Sequence, residues 1–207
     1  MTGPRSTPAP VAMTPPSEAQ TVILAQQGEA AALDELARSC RKQAYVFALQ
    51  LIGHPDDALD VAQDAMVRFF RSLERFDPSR PVRPWLLRIV RNLVRDRARR
   101  LRVRRTESLE PADDALRFEP RDDAPDPEAL ATRREQQALV WKCLQELHPR
   151  YREVLVLRDY QDQSYADIAT TLKIPRGTVM SRLHRARRLL QEEVRKLRSG
   201  TGEARDG

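Results

Sequence analysis

Residues 164–190 read SYADIATTLKIPRGTVMSRLHRARRLL, and the fold turns on this stretch. Tyr165, Ile168, Ala169 and Leu172 recur at three-and-four spacing, which predicts a short amphipathic helix. Ser164 stands at its N-cap, with Asp167 three residues on as the partner of a capping box. Lys173, Ile174 and Pro175 then break the chain, because proline disfavours helix in the residue before it. Val179, Leu183, Ala186 and Leu190 resume the helical period on a longer segment. Its outward positions are Arg176, Thr178, Ser181, Arg182, Arg185 and Arg188. A short helix, a tight turn and a basic helix form the helix-turn-helix signature, whose second helix enters the major groove of DNA. Lys173 sits where such a turn often needs a positive φ, at a cost of about 1 kcal/mol for a residue other than glycine.

Just upstream, Tyr151, Val154, Leu155 and Leu157 mark another apolar helix. A further basic helix is expected from about Pro84 to Leu101, with proline near its first position. Leu86, Leu87, Val90, Val94, Ala98 and Leu101 give its buried side, and Arg88, Arg91, Asn92, Arg95, Arg99 and Arg102 line the other. A face kept only for solubility would mix Glu with Lys. Arginine instead makes bidentate bonds to phosphate and stacks on bases, so this stripe reads as a nucleic-acid surface. Residues 75–84 hold three prolines and read as a loop. Trp85 follows it, either as core or as a platform for an unpaired base.

The cleanest stripe in the chain is Ala58, Val61, Ala62, Ala65, Met66, Phe69, Phe70 and Leu73, in a helix expected to start at Asp56 or Asp57. Asp57, Asp60 and Asp64 share its outward edge, with Gln63 beside them. Like charges at this spacing repel by about a few tenths of a kcal/mol. Such an edge either serves a partner or is a solvated face. In 29–53, Leu33, Leu36, Ala37, Cys40, Ala44, Phe47, Ala48 and Leu51 predict one more helix, ended by His54-Pro55.

The whole chain has 207 residues, a net charge of +6 and a pI near 9.8. A basic excess favours an anionic partner. Its distribution says more. Residues 80–105 carry 11 Arg against one acid, a net of +10. Residues 107–128 carry nine acids against two Arg, a net of −7. Residues 176–198 carry eight Lys or Arg against two Glu, a net of +6. Two basic blocks therefore flank an acidic, proline-containing spacer, the pattern of two nucleic-acid modules on a tether. The expected organisation is all-α: a disordered tail over 1–17, a helical domain over 18–105, a flexible acidic linker over 106–132, a second helical domain over 133–198 and a frayed end over 199–207.

Mean hydropathy is −0.61 and no apolar run approaches a bilayer span, so no membrane contact is expected. No secretory signal is visible, so the chain is expected to stay in the cytosol. Cys40 and Cys143 lie among apolar residues at helical spacing and read as small buried hydrophobes. His54, His148 and His184 form no ligand cluster, and phosphate-binding and nucleophile-elbow motifs are absent. No cofactor and no metal site are expected, and an enzyme reading starts weak.

Residues 56–100, DDALDVAQDAMVRFFRSLERFDPSRPVRPWLLRIVRNLVRDRARR, resemble region 2 of bacterial sigma-70 family factors. Residues 147–190, LHPRYREVLVLRDYQDQSYADIATTLKIPRGTVMSRLHRARRLL, resemble their region 4. The order of the two, and the lack of region 3 and a long region 1, resemble the extracytoplasmic-function (ECF) subgroup. The likeness spans roughly residues 20–105 and 134–197. It implies a promoter-specificity subunit without catalysis of its own. By the same likeness, Asp57, Asp60, Gln63 and Asp64 would dock on the clamp helices of the largest subunit of core RNA polymerase. Arg83, Trp85, Arg88, Arg91, Asn92 and Arg95 would hold the melted minus-10 strand, one of whose bases flips into a pocket of the preceding loop. Arg176, Thr178, Ser181, Arg182, Arg185 and Arg188 would read the minus-35 duplex. The linker would thread toward the RNA exit path, and many such factors are held by an anti-sigma partner. Lys173 in place of the commoner glycine, and Pro84 in place of a small residue, depart from the family pattern.

Two other readings stand beside this one. A free-standing helix-turn-helix regulator would explain residues 133–198 but leave the first arginine helix idle. A metal-dependent nuclease on Asp57, Asp60 and Asp64 would need further ligands.

Overall fold

The computed structural model describes the backbone of residues 17–107 and 127–202, and side chains within 17–102 and 135–199. The expected N-terminal tail up to residue 16, the linker centre at 108–126 and the end at 203–207 lie outside the described residues. Among those described there are helices and no strand: α1 (Glu18–Gln26), α2 (Ala30–Ile52), α3 (Pro55–Leu73), α4 (Val82–Glu107), α5 (Pro127–Glu146), α6 (Pro149–Leu155), α7 (Tyr165–Leu172) and α8 (Arg176–Gly202). A single π-helical turn, Val156–Tyr160, runs on from α6. The fold is all-α, with α1–α4 in one helical domain and α5–α8 in the other.

The apolar stripes behave as their spacing dictates. Leu36, Cys40, Ala44, Phe47, Ala48 and Leu51 of α2 are buried against Ala58, Val61, Ala62, Ala65, Phe69 and Leu73 of α3. Small alanines on both helices let the backbones approach, and Phe47 and Phe69 fill the centre at 0% exposure. Each such burial contributes about 2–3 kcal/mol. In the second domain Val154, Leu155, Val156 and Leu157 pack with Ile168, Leu172, Val179, Leu183 and Ala186. Cys40 and Cys143 are both buried free thiols. Burial pushes the Cys40 thiol up to about 12, and raises that of Cys143.

Two helix starts, those of α3 and α4, differ from expectation, and α1 is a helix the stripes did not mark. α1 opens on a full capping box: Ser17 Oγ accepts from Gln20 N–H, and Gln20 Oε1 accepts from Ser17 N–H. α3 begins at Pro55, not at an aspartate cap; His54 Nδ1 accepts from Asp57 N–H at 3.5 Å. Proline fits the first helical position because its missing N–H has no partner there anyway. The same device starts α6, where His148 Nδ1 accepts from Arg150 N–H ahead of Pro149. α4 starts at Val82, two residues ahead of Pro84. The turn from α2 into α3 passes through Gly53 at φ +83°, where an added Cβ would lie 2.8 Å from Gln145 Oε1.

The two domains are not held apart. The buried apolar residues of both form one continuous cluster, with α4 against α7 and α2 against α6 and the π turn. α4 is therefore covered on two sides. Leu93 and Arg91 are buried, whereas Ala98 and Leu101, expected inside, are exposed beyond the end of the packing.

Candidate nucleic-acid interface

The turn between α7 and α8 is set by the backbone. Ser164 Oγ accepts from Asp167 N–H at 3.1 Å and donates to the Asp167 carboxylate at 2.6 Å, which fixes the start of α7. Lys173 ends α7 at φ 54°, ψ 48°, and its N–H bonds to Ala169 O. The left-handed residue expected at this turn is thus in place without glycine, as is a second one, Asp162 at φ 49°. Ile168 and Leu172 of α7 are buried against Val179, Leu183 and Ala186 of α8, so α8 can turn only one face outward. That face carries Arg176, Ser181, Arg185 and Arg188, all exposed, with Thr178 and Arg182 half-buried at its edge. Met180 stands among them at 55% exposure. Arg188 shares its charge with Glu192 at 3.5 Å. Arg187 is drawn to Asp159 of the π turn at 2.5 and 3.2 Å and is thereby taken off the basic face.

The second candidate surface begins at the loop between α3 and α4. α1 grips both of its ends. Gln26 Nε2 donates to Leu73 O at 2.9 Å and Phe76 O at 2.7 Å, and Glu18 Oε2 accepts from Val82 N–H at 3.4 Å. Within the loop, Asp77 accepts from the N–H and hydroxyl of Ser79 at 3.0 and 2.7 Å. Those bonds, with Arg80 nearby, hold the Asp77 carboxyl below its usual range. Trp85 lies half-buried in an aromatic stack, 4.2 Å from Phe76 at an interplanar angle of 15° and 4.6 Å from Phe69. It is core-packed on those sides, which restricts any stacking on a base to what stays open.

The arginines of α4 divide into two groups. Asn92 and Arg95 are exposed, as expected. Arg91 is not on an outward face: it is 6% exposed, pairs with Glu153 at 3.0 Å and donates to Thr171 O at 3.3 Å. Arg83 is half-buried and donates to Gln161 Oε1 at 3.1 Å, and Arg88 is half-buried as well. The reason is the second domain, which covers this part of α4. The acid edge of α3 divides as well. Asp60, Gln63 and Asp64 are exposed, flanked by Leu59 at 48% and Val67 at 49% exposure. Asp57 instead turns toward α4 and pairs with Arg97. Among the described residues no group of three or more His, Cys, Asp or Glu could hold a metal ion. Nor is any helix there long and apolar enough to cross a membrane.

Sequence reasoning missed Glu18, Gln26, Glu153 and Gln161. The capping box at Ser17 and Gln20 would have revealed α1, but nothing in the sequence marks the other contacts, which join residues 47 to 78 positions apart.

Comparison with known proteins identifies the family of both helical regions. The family model described as Sigma-70 region 2 matches residues 36–105, and that described as Sigma-70, region 4 matches residues 137–190. The chain is 34% identical to the ECF RNA polymerase sigma factor SigE of Mycolicibacterium smegmatis, over 89% of this chain and 71% of the relative. It is 31% identical to the RNA polymerase sigma-H factor of Pseudomonas aeruginosa, over 89% of this chain and 97% of that one. Among solved structures, CnrH in complex with the cytosolic domain of CnrY superposes with a TM-score of 0.61 at 25% identity, over 84% of this chain and 95% of that one. The sigma factor RpoE of Bartonella quintana, solved with the anti-sigma factor NepR, shares the fold with a TM-score of 0.68 at 23% identity, over 79% of this chain and 96% of that one.

Proposed function

The chain belongs to the ECF subgroup of the sigma-70 family of RNA polymerase sigma factors, and from that premise we propose a division of labour among its helices in promoter-specific transcription initiation. α8 reads the minus-35 element in duplex form. α4 and the loop before it capture the melted minus-10 strand, with Arg83, Trp85, Arg88, Arg91, Asn92 and Arg95 as the contacts. The exposed edge of α3, Asp60, Gln63 and Asp64 with Leu59 and Val67 around them, docks on the clamp helices of core polymerase. Asp57 supports that edge from its pairing with Arg97. The factor has no catalytic role of its own and acts where the polymerase is.

One observation carries the reading. A packed helix-turn-helix presents Arg176, Ser181, Arg185 and Arg188 to solvent, while the same chain holds a second arginine helix behind a braced loop. A protein that only bound duplex DNA would use the first and have no need of the second. A partner that restrains the factor fits the same reading, since CnrH was solved with the cytosolic domain of CnrY bound.

The test is capture of purified core RNA polymerase by wild type and by Asp60→Arg plus Asp64→Arg. Saturable binding that the charge reversal abolishes is the expected result. A wild-type protein that is folded yet does not bind core would overturn the reading in favour of a free-standing regulator. On the DNA side, Arg182→Ala or Arg185→Ala is expected to weaken promoter binding by about 1–3 kcal/mol and relax base preference in the minus-35 element. Binding titrations on a library of duplex sites measure both.

A further inference from the structure

Gly177 and Met180 both stand on the outward side of α8, and the packing of the chain accounts for neither. Gly28 and Gly53 take left-handed angles, φ +86° and +83°, where a side chain would be strained. Gly177 takes no such angle; it sits in the first turn of α8. A Cβ added to it would meet no atom within 4 Å outside its own turn. Alanine would therefore fit, and it would leave the unfolded chain less freedom to lose, so glycine makes the fold less stable here. Met180 is the most exposed large apolar side chain among the described residues, at 55%. It leaves in water apolar surface that would be stabilised by burial.

Their placement shows what could cover them. Val179, Leu183 and Ala186 face the core of the second domain. On the opposite side Gly177, Ser181, His184 and Arg188 follow one another at spacings of four, three and four, in line down the middle of the exposed face. Met180 is three residues from Gly177 and so lies beside it. The major groove of DNA is about 12 Å wide and a helix with its side chains about 10–12 Å across, so the fit leaves little slack. One Cβ in the middle of the face would hold the helix off by up to about 1.5 Å. That is enough to stretch a hydrogen bond of about 2.9 Å beyond its working range. Thymine is the base that presents a methyl group in this groove. A flexible thioether side chain packs on such a group with little demand on geometry.

We propose that Gly177 and Met180 are specificity determinants of the duplex-reading helix: the bare backbone at Gly177 seats α8 deep in the major groove, and Met180 beside it packs on the methyl group of a thymine in the minus-35 element. This rests on the reading of α8 as the helix that enters the minus-35 duplex. The stability that a glycine and an exposed methionine forgo in the free chain is recovered in contact with DNA.

The test uses the full chain bound to purified core polymerase. The probe is the labelled duplex that the wild-type complex selects from a randomised library, read by anisotropy. Gly177→Ala is expected to raise the melting temperature of the free chain by about 1–3 °C. It is expected all the same to weaken duplex binding about threefold, and Gly177→Leu about tenfold or more. Capture of core polymerase should be the same for both as for wild type. Replacing each thymine of the upstream element in turn by deoxyuridine removes one methyl group. At one of them wild type is expected to lose about fourfold in affinity, the worth of a buried methyl. Met180→Ala should bind the thymine and deoxyuridine forms of that probe alike.

Duplex binding by Gly177→Ala and Gly177→Leu equal to wild type would overturn the close seat. A loss of core capture in their place would assign Gly177 to the polymerase and overturn it too. An upstream element in which no thymine methyl matters, or a methyl effect that Met180→Ala retains, would overturn the methyl contact. Arg185→Ala on the same probe tests the underlying reading. If it weakens binding while the Gly177 and Met180 variants do not, this inference alone falls. If it has no effect either, the reading of α8 falls and takes the inference with it.

Discussion

Lys173 shows how a single backbone angle can be read from sequence while its energetic cost is carried elsewhere. Its φ of 54° is in the left-handed region, which costs a residue with a Cβ about 1 kcal/mol. Lys173→Gly relieves that strain but adds freedom to the unfolded chain, so a net gain of roughly 0.5 kcal/mol is expected. Lys173→Val is expected to destabilise, since a branched Cβ crowds the same angle. Urea unfolding of the two variants measures both signs. The cysteines make a second prediction. With the Cys40 thiol raised from 9.0 to about 12 by burial, its folded form holds the proton more tightly than the unfolded chain does. Its contribution to stability is therefore full below pH 9.0 and is lost as pH rises toward about 12. At neutral pH neither thiol should react with iodoacetamide until the protein unfolds, and labelling followed against urea concentration should track the unfolding curve. Burial of both was legible because each sits on an apolar stripe. The buried state of Arg91 was not, because from sequence it occupies the same arginine stripe as the exposed Arg95.

At the scale of elements, the stripes of α2, α3 and α7 fixed which face of each helix is inside, and their spacing was sufficient for that. Helix ends were less legible. The His-Pro starts of α3 and α6 replace the aspartate cap that the sequence of α3 suggested, since a histidine ring nitrogen does the same work as a carboxylate oxygen. α1 escaped because its few buried residues, Thr21, Val22 and Ala25, make too narrow a stripe to stand out. Yet α1 sets the loop before α4. Gln26→Ala removes two hydrogen bonds to loop carbonyls, and a loss of about 2 kcal/mol is expected from roughly 1 kcal/mol each. Promoter opening should fall while core polymerase binding holds, which permanganate reactivity and pull-down would separate. Asp77 braces the same loop from within. Its folded carboxyl lies below the ordinary 3.8, so its stabilising effect is present above that value and is lost as pH falls through the lower folded value. A carboxyl titration followed by NMR should place Asp77 below 3.8.

At the scale of the whole molecule, the two family regions were legible as separate blocks with opposite charge between them, but their packing was not. Gln50, Gln161, Gln163 and Thr171 are buried, and each has the composition of a surface residue. Only the fold reveals that Gln161 bonds to Gln50 across the two domains, that Gln163 bonds to Gln161 O, and that Thr171 O accepts from Arg91. A shared apolar cluster predicts cooperative unfolding. The chain has one tryptophan in each domain, Trp85 and Trp141, so Trp85→Phe and Trp141→Phe each leave a single reporter. Both reporters are expected to give the same urea midpoint. Leu155→Ala, at 1% exposure, should lower that shared midpoint by the equivalent of about 2–5 kcal/mol. The grip of α1 on the loop ahead of α4 has a consequence on another timescale. Gln26 bonds to backbone carbonyls, and Glu18 to a backbone N–H, so neither depends on which side chains the loop carries. The loop is a replaceable cassette in a fixed frame. Descendants of this chain can drift toward new promoters by exchanging residues 77–81, and the helices that hold it need not change with them.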